Sequence, residues 1–230
     1  MARTPLPPLP RLPTQEHESA LWAAGCARVA GVDEVGRGPI AGPVVAGAAV
    51  LPDLSGVEHP DWGLLRDSKT LSSAQLVRAD ALVRALAVGV GIGQASSEEI
   101  DAHGIAPATR LAMRRALDAL ALSAGAPCHL LVDAFLLDWR YTPCTPLVKG
   151  DARSAAIAAA SIVAKVHRDA LMVALDAAHP GYGLAAHKGY AAASHLEAVA
   201  RLGPSPVHRR SFSPFRPALL PSVPEQGPHA

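Results

Sequence analysis

Aromatic side chains are scarce: Phe, Trp and Tyr make up 4% of the 230 residues, although half of the chain is hydrophobic. A core built largely from Ala, Val, Leu and Ile lets backbones approach closely, which favours helices packed on a sheet over a β-sandwich. Cysteine is scarce too. Cys26, Cys128 and Cys144 form no CxxC pair and leave an odd thiol, which argues against a disulfide framework and a structural zinc site and fits a reducing cytoplasm. Net charge is close to absent, +1 at neutral pH, so no overall basic field advertises a nucleic-acid partner. No apolar run approaches the roughly 20 residues needed to cross a bilayer, and the amino terminus, MARTPLPPLPRLPTQEHESA, lacks the uninterrupted apolar segment of a secretory signal. The expectation is a soluble, cytoplasmic protein without membrane association, built on one catalytic domain.

Proline is concentrated at the ends, in residues 1 to about 18 and from Ser213 onward, where it removes backbone donors and prevents regular pairing. Both ends read as tails. Between them, ARVAGVDEV and PVVAGAAVL have the composition of strands joined by a glycine-rich turn. Ser72 opens a helix with a Ser-x-x-Gln capping box and an apolar stripe of Leu76, Ala79, Val83 and Leu86. AVGVGIGQAS alternates as a third strand, Ser96 and Glu99 form a second capping box, and PATRLAMRRALDALALSAG is an amphipathic helix closed by Gly125. CHLLVDAF reads as a buried strand ending at Asp133. The alanine-rich helix that follows TPLVKGD ends at Pro180 and Gly181, and a last helix around ASHLEAVARLG ends at Gly203.

Four acids stand out by position: Asp33 and Glu34 in the first strand, Asp133 at the end of another, and Asp151 at the start of a helix. Bland readings exist for three of them. Asp151 after Gly150 has the chemistry of an N-cap, Asp133 can open a turn, and Glu34 can face solvent because strand side chains alternate. Asp33, on the strand face opposite Val32 and Glu34 and between VAGV and VGRG, is harder to dismiss, because burial without a partner costs several kcal/mol or forces protonation. A hard divalent cation would relieve the repulsion among clustered carboxylates. For Asp33 and Glu34 to serve one such site, the strand must twist, bulge or end there. Gly36-Arg37-Gly38 follows directly; glycines let backbone N–H groups approach a phosphate or sugar, and an arginine can pair with phosphate. From Pro180 to Pro217, Lys188, Arg201, Arg209, Arg210 and Arg216 stand against Glu197 alone, a local excess of +4 that reads either as a solvated face or as a phosphate-contacting surface.

Taken together, GVDEVGRGPIAGPVVAGAAVL, DSKTLS, LVDAF, VKGDARSAAIAAASIVAKVHRDALM, HPGYGLAAHKGYAAASHLEAV and HRRSF resemble prokaryotic ribonuclease HII, in order, across about residues 28 to 216. The resemblance implies an α/β RNase H-like fold: a mixed central sheet flanked by helices, with a C-terminal helical extension. It implies a lead-in over 1–27, a catalytic domain over 28–217 with the extension beginning near 180, and a tail over 218–230. The family's metal-binding acids fall on Asp33, Glu34, Asp133 and Asp151, for Mn²⁺ or Mg²⁺. Its ribose-reading turn falls on Gly36, Arg37 and Gly38, and its substrate-junction tyrosine on Tyr190, with Tyr182 as the neighbouring alternative. Asp169 matches as helix-borne support, and Lys69, Lys149, Lys165 and Lys188 as basic positions for phosphate contact or charge balance. Ala134 departs from the glycine that the family often carries after its third acid. The related HIII type has an additional N-terminal domain for which the lead-in before Arg28 is too short, so the resemblance favours HII.

The implied activity is endonucleolytic hydrolysis of the RNA strand of RNA/DNA hybrids, and incision 5′ of single ribonucleotides embedded in duplex DNA, by a monomer using two metal ions and leaving 5′-phosphate and 3′-hydroxyl ends. Selectivity then rests on the 2′-hydroxyl. The rivals are another nuclease or strand-transfer enzyme on the same fold, a hybrid-binding module without catalysis, and a divalent-ion protein without a nucleic-acid role. The complete acidic set argues against the second, and the basic carboxy-terminal blocks leave the third incomplete.

Overall fold

The computed structural model describes residues 8–215. Residues 1–7 and 216–230, including Arg216 and the proline-rich tail from 218, lie outside them. The chain runs through α1 (Glu16–Ala23), β1 (Val29–Val35), β2 (Val44–Val50), α2 (Ser73–Leu86), β3 (Gly89–Ala95), α3 (Ser97–His103), α4 (Ile105–Ala124), β4 (His129–Asp133), β5 (Cys144–Leu147), α5 (Ala155–Ala178), α6 (Leu184–His187) and α7 (Ala193–Leu202). The five strands form one mixed sheet in the order β3-β2-β1-β4-β5. β1 pairs antiparallel with β2 and β2 with β3, whereas β1–β4 and β4–β5 are parallel. This is the mixed, helix-flanked sheet with terminal helices that the family resemblance implies.

Helices cover both faces for a compositional reason. On one side, Ala108, Ala112, Met113, Ala116, Leu117 and Leu120 of α4 recur at helical spacing and meet Ala30, Val32 and the even positions of β2. On the other, the alanine-rich first half of α5 lies directly on the sheet, and α2 packs against it through Leu76, Ala79 and Val83. Contact there is so close that a Cβ on Gly31 or Gly47 would collide with the backbone at Ala156 or Ala160. Both predicted capping boxes form, at Ser72 with Gln75 and at Ser96 with Glu99. α6 and α7 build a small satellite core from Tyr182, Leu184 and Ala198 against Ala41 and Met172.

Three features depart from the sequence reading. β5 is an edge strand, CTPL, whose proline hides it from any pattern and is tolerated because an edge leaves one side of the ladder free. α1 lies in the lead-in that reads as tail; its Glu18 is buried and accepts from the Ser154 hydroxyl at 2.6 Å and the Ala156 amide at 2.9 Å, so it supports the start of α5. Finally, Cys26 and Cys128 are joined by a disulfide, with Cα atoms 5.8 Å apart across 102 residues. This corrects the expectation of unpaired thiols and removes cysteine usage as an argument for a reducing cytoplasm. Val29 of β1 pairs in parallel with His129 of β4, so the segments leading into the two strands run side by side and bring the cysteines together.

Candidate active site

The four acids converge where β1 and β4 part. β1 keeps its register with β2 through Val35, but its pairing with β4 stops at Val32 and Val132. The strand therefore ends on one side just before Asp33, which is one of the departures needed for both acids to reach one site. Asp33 is buried on the α5 face, where the Ser161 hydroxyl favours its charged form and its Oδ1 accepts the Glu34 amide at 2.8 Å. Burial, then the charges of Glu34 and Asp133, hold its carboxyl well above the ordinary range. Burial also raises Glu34, opposed by Arg37 and reinforced by Asp133. Asp133, at the end of β4, is raised by burial although the Gly150 N–H donates to its Oδ1 at 2.6 Å. Asp151 lies in a 3-10 turn at Gly150–Ala152 and is raised by burial, Asp133 and Asp67. The N-cap of α5 is Ser154, so the capping role open to Asp151 falls to another residue and its carboxylate is left for the cluster.

The glycine turn leaves β1 directly beside these acids. Gly36 has φ +90°, and a Cβ there would run into the Arg168 guanidinium, so both conformation and space require glycine. Arg168 and Arg209 are fully buried and have backbone carbonyls as hydrogen-bond acceptors. Arg209 donates to the carbonyls of Gly36 at 2.6 Å, Arg37 at 2.9 Å and Gly42 at 2.9 Å; Arg168 donates to Pro43 at 3.1 Å and Lys188 at 3.0 Å. In a trans peptide the carbonyl and the following N–H point to opposite sides. With the Gly36 and Arg37 carbonyls drawn inward, the N–H groups of Arg37 and Gly38 face away from Arg209. Arg37 itself pairs with Glu34 at 3.5 Å and lies 4.8 Å from the centre of the Phe135 ring. Tyr190 is half exposed, with its ring 3.6 Å from where a Cβ on Gly38 would stand. Tyr182 is instead buried and donates its hydroxyl to the Gly203 carbonyl at 2.7 Å. Of the two tyrosines, Tyr190 is the one that lies beside the turn.

A family model described as Ribonuclease HII matches residues 30–214 of this chain. The chain belongs to the ribonuclease HII family. It is a ribonuclease H, an endoribonuclease and thus a hydrolase. The ribonuclease HII of Moorella thermoacetica is 50% identical over 195 residues, covering 85% of this chain and 91% of that protein. That of Chromohalobacter salexigens is 52% identical over 190 residues, covering 82% and 90%. Among solved structures, ribonuclease H2 from Pyrococcus horikoshii OT3 superposes with a TM-score of 0.67 at 27% identity, over 82% of this chain and 95% of that one. A Bst-RNase HIII described in complex with Mn²⁺ shares the fold at 21% identity and TM-score 0.66, over 83% and 68%.

Within this ribonuclease HII, residues beyond the expected set also shape the site. Asp67 raises both Asp133 and Asp151 and caps its own short turn by accepting from the Lys69 amide at 2.9 Å. Its place in DSKTLS is visible in the sequence; its proximity to Asp133 and Asp151 is not. Ser68 and Ser161 lie 3.0 Å apart, hydroxyl to hydroxyl, extending the Asp33 contact inward. Lys69 is the basic position that meets the acids: burial opposes its charge, but Asp33, Asp67, Asp151 and Asp133 outweigh it and raise the ammonium above its ordinary value. Lys165 pairs with Asp169 at 2.7 Å, and Lys188 donates to the Ala185 carbonyl at 2.5 Å. At Arg209 alone the structure corrects the phosphate-contact reading: this residue is internal, and burial followed by the Arg168 charge lowers it to about 9. Among the described residues, no three His, Cys, Asp or Glu side chains are already closed into a metal cage. The donor set nevertheless suits a hard cation: oxygen ligands only, mutually repelling, with Glu34 Oε2 buried and lacking a hydrogen-bond partner.

Proposed function

We propose that this ribonuclease HII cleaves the RNA strand of RNA/DNA hybrids and incises on the 5′ side of single ribonucleotides embedded in duplex DNA, leaving 5′-phosphate and 3′-hydroxyl ends. One observation carries the reading: four acids with raised proton affinity meet, at the parting of β1 and β4, a turn whose carbonyls are held from inside. Asp33, Glu34, Asp133 and Asp151 are the residues that would hold two divalent cations, Mg²⁺ or Mn²⁺. Such cations, when bound, supply Lewis acidity toward water, the scissile phosphate and the departing 3′-oxygen. The protein's own part is to orient and to select. The Glu34 amide and the Gly150 N–H fix the directions of Asp33 and Asp133, and Lys69 moderates the repulsion among the acids.

Selection rests on the 2′-hydroxyl, the group that distinguishes ribose from deoxyribose. The N–H groups of Arg37 and Gly38 donate to it, and Tyr190 packs on the adjacent deoxyribose across Gly38. A sugar-stacking side chain tolerates any base, so cleavage is nearly independent of sequence. We assign the catalytic unit to residues 28–217, with its helical extension from about 180, and read it as acting as a cytoplasmic monomer. The test is incision of a labelled DNA duplex containing one ribonucleotide, with Mg²⁺ or Mn²⁺ or with chelator, beside an all-DNA control. Cation-dependent incision at the ribonucleotide alone supports the reading. Binding without cleavage in either cation overturns it in favour of a hybrid-recognition module.

A further inference from the structure

Three histidines lie behind Tyr190, and none takes part in the chemistry above. His195 and His208 are fully buried, and His187 stacks on His195 with ring centres 4.1 Å apart. Their hydrogen bonds determine where each proton sits. A carbonyl only accepts, so His195 Nδ1, 2.7 Å from the Tyr190 oxygen, carries a hydrogen. A backbone amide only donates, so His208 Nδ1, 3.0 Å from the Ser205 nitrogen, is bare. The neutral His208 ring therefore carries its hydrogen on Nε2, facing the bare Nε2 of His195 at 3.0 Å. The Ser205 hydroxyl adds a second contact to His208 Nδ1 at 2.8 Å. The same reasoning applies to His187: Nε2 donates to the Tyr182 carbonyl at 2.9 Å and Nδ1 accepts the Gly189 amide at 3.2 Å. All three rings are satisfied in one neutral arrangement, and a second proton on any of them would face an N–H group. Burial lowers His195 and, with the neighbouring His195, brings His208 to about 4.

The chain of donors runs Ser205, His208, His195 and ends on the backbone oxygen of Tyr190. That oxygen belongs to the residue whose ring faces Gly38, in the short connection between α6 and α7. We infer that His195, oriented by His208, is a positioning residue for ribonucleotide selection: it anchors the Tyr190 backbone so that the ring stands ready over the glycine turn. This rests on the reading of Tyr190 as the residue that packs on the junction deoxyribose. Backbone bonds also hold this segment: the Ala192 N–H donates to the same Tyr190 oxygen at 2.8 Å and the Tyr190 N–H donates to the His187 carbonyl at 3.0 Å. His195 adds the side-chain tie from the buried cluster; without it, the substrate has to supply part of the tyrosine's ordering, and the cost falls on the substrate that depends on one junction contact.

The experiment measures the ratio of kcat/KM on a duplex with one embedded ribonucleotide to kcat/KM on a long RNA/DNA hybrid. Taking a ratio cancels effects on the shared carboxylates. His195→Phe, which deletes the donor, is expected to lower the ratio about tenfold, the scale of one net hydrogen bond, mainly through KM on the single-ribonucleotide duplex. His195→Asn, whose amide nitrogen stands near the Nδ1 position, restores most of it. In a Tyr190→Ala background, which keeps the backbone oxygen but removes the ring, His195→Phe changes the ratio no further. Equal losses in both backgrounds, or an unchanged ratio in folded His195→Phe, overturn the positioning role. If His195→Phe fails to fold, His195→Gln, which moves the amide to the Nε2 position, is expected to give the same loss, and an unchanged ratio there overturns the role. A Tyr190→Ala protein with an unchanged ratio removes the junction reading itself and this inference with it, a result distinct from a Tyr190→Ala effect that His195 variants do not share.

Discussion

Ala134 follows the third acid of the site with φ +56°, a left-handed conformation in which an L side chain costs roughly 1–2 kcal/mol. Its amide still donates to the Leu147 carbonyl at 2.9 Å, holding the loop after Asp133 against β5. Ala134→Gly is expected to gain up to about 1 kcal/mol, part of the relieved strain being offset by the freer unfolded chain; chemical denaturation checks it. The acids next to it raise a second residue-scale expectation. Carboxylates whose proton affinity is raised by burial and mutual repulsion destabilise the fold at neutral pH, and either protons or a divalent cation relieve this. The rise in melting temperature produced by Mn²⁺ over chelator should therefore be largest near pH 8 and shrink as pH falls and protons compete. Asp33→Asn should abolish cleavage, sharply reduce that cation-dependent rise and leave the helical signal intact; retained activity would remove Asp33 from the cation site.

At the scale of elements, two devices hold the site in shape. Arg209 and Arg168 tie the turn after β1 to α5 and to the segment beyond α7 through carbonyls alone. Arg209→Lys keeps the charge but loses the fork that spans three carbonyls. The expected outcome is a several-fold loss of specific activity on a ribonucleotide-containing duplex under conditions where the denaturation midpoint shows the variant to be fully folded. α1 supports α5 in a similar way. Glu18 meets the Ser154 hydroxyl and the Ala156 amide at the N-terminal end of that helix, three residues from Asp151. Glu18→Ala should cost about 1–3 kcal/mol, because it strips partners from buried donors, and thermal unfolding reads the loss. Patterning found α2, α3 and α4 because each carries its own cap or apolar stripe. It did not find α1, whose support comes from a residue more than a hundred positions away.

Across the whole molecule, the candidate site joins segments that begin at residue 33 and end beyond 208. Tyr190→Ala should lose more activity on a single embedded ribonucleotide than on a long hybrid, where neighbouring riboses offer alternative registers; equal losses on both would end its junction role. The disulfide is equally non-local, and thiol titration of the denatured, unreduced protein should find one free thiol, Cys144. Composition and periodicity determined the layered α/β architecture, the strands that carry Asp33 and Asp133, and the capped helices, because those depend on neighbours a few residues apart. Residue blocks in order determined the family. The tertiary structure alone decided that Asp67 joins the acids and that Ser154 caps α5 in place of Asp151. It alone turned Arg209 inward to hold a turn, and it alone brought Cys26 to Cys128. Each of these depends on which strands lie side by side, and a parallel pair such as β1 and β4 unites residues a hundred positions apart that no local pattern relates.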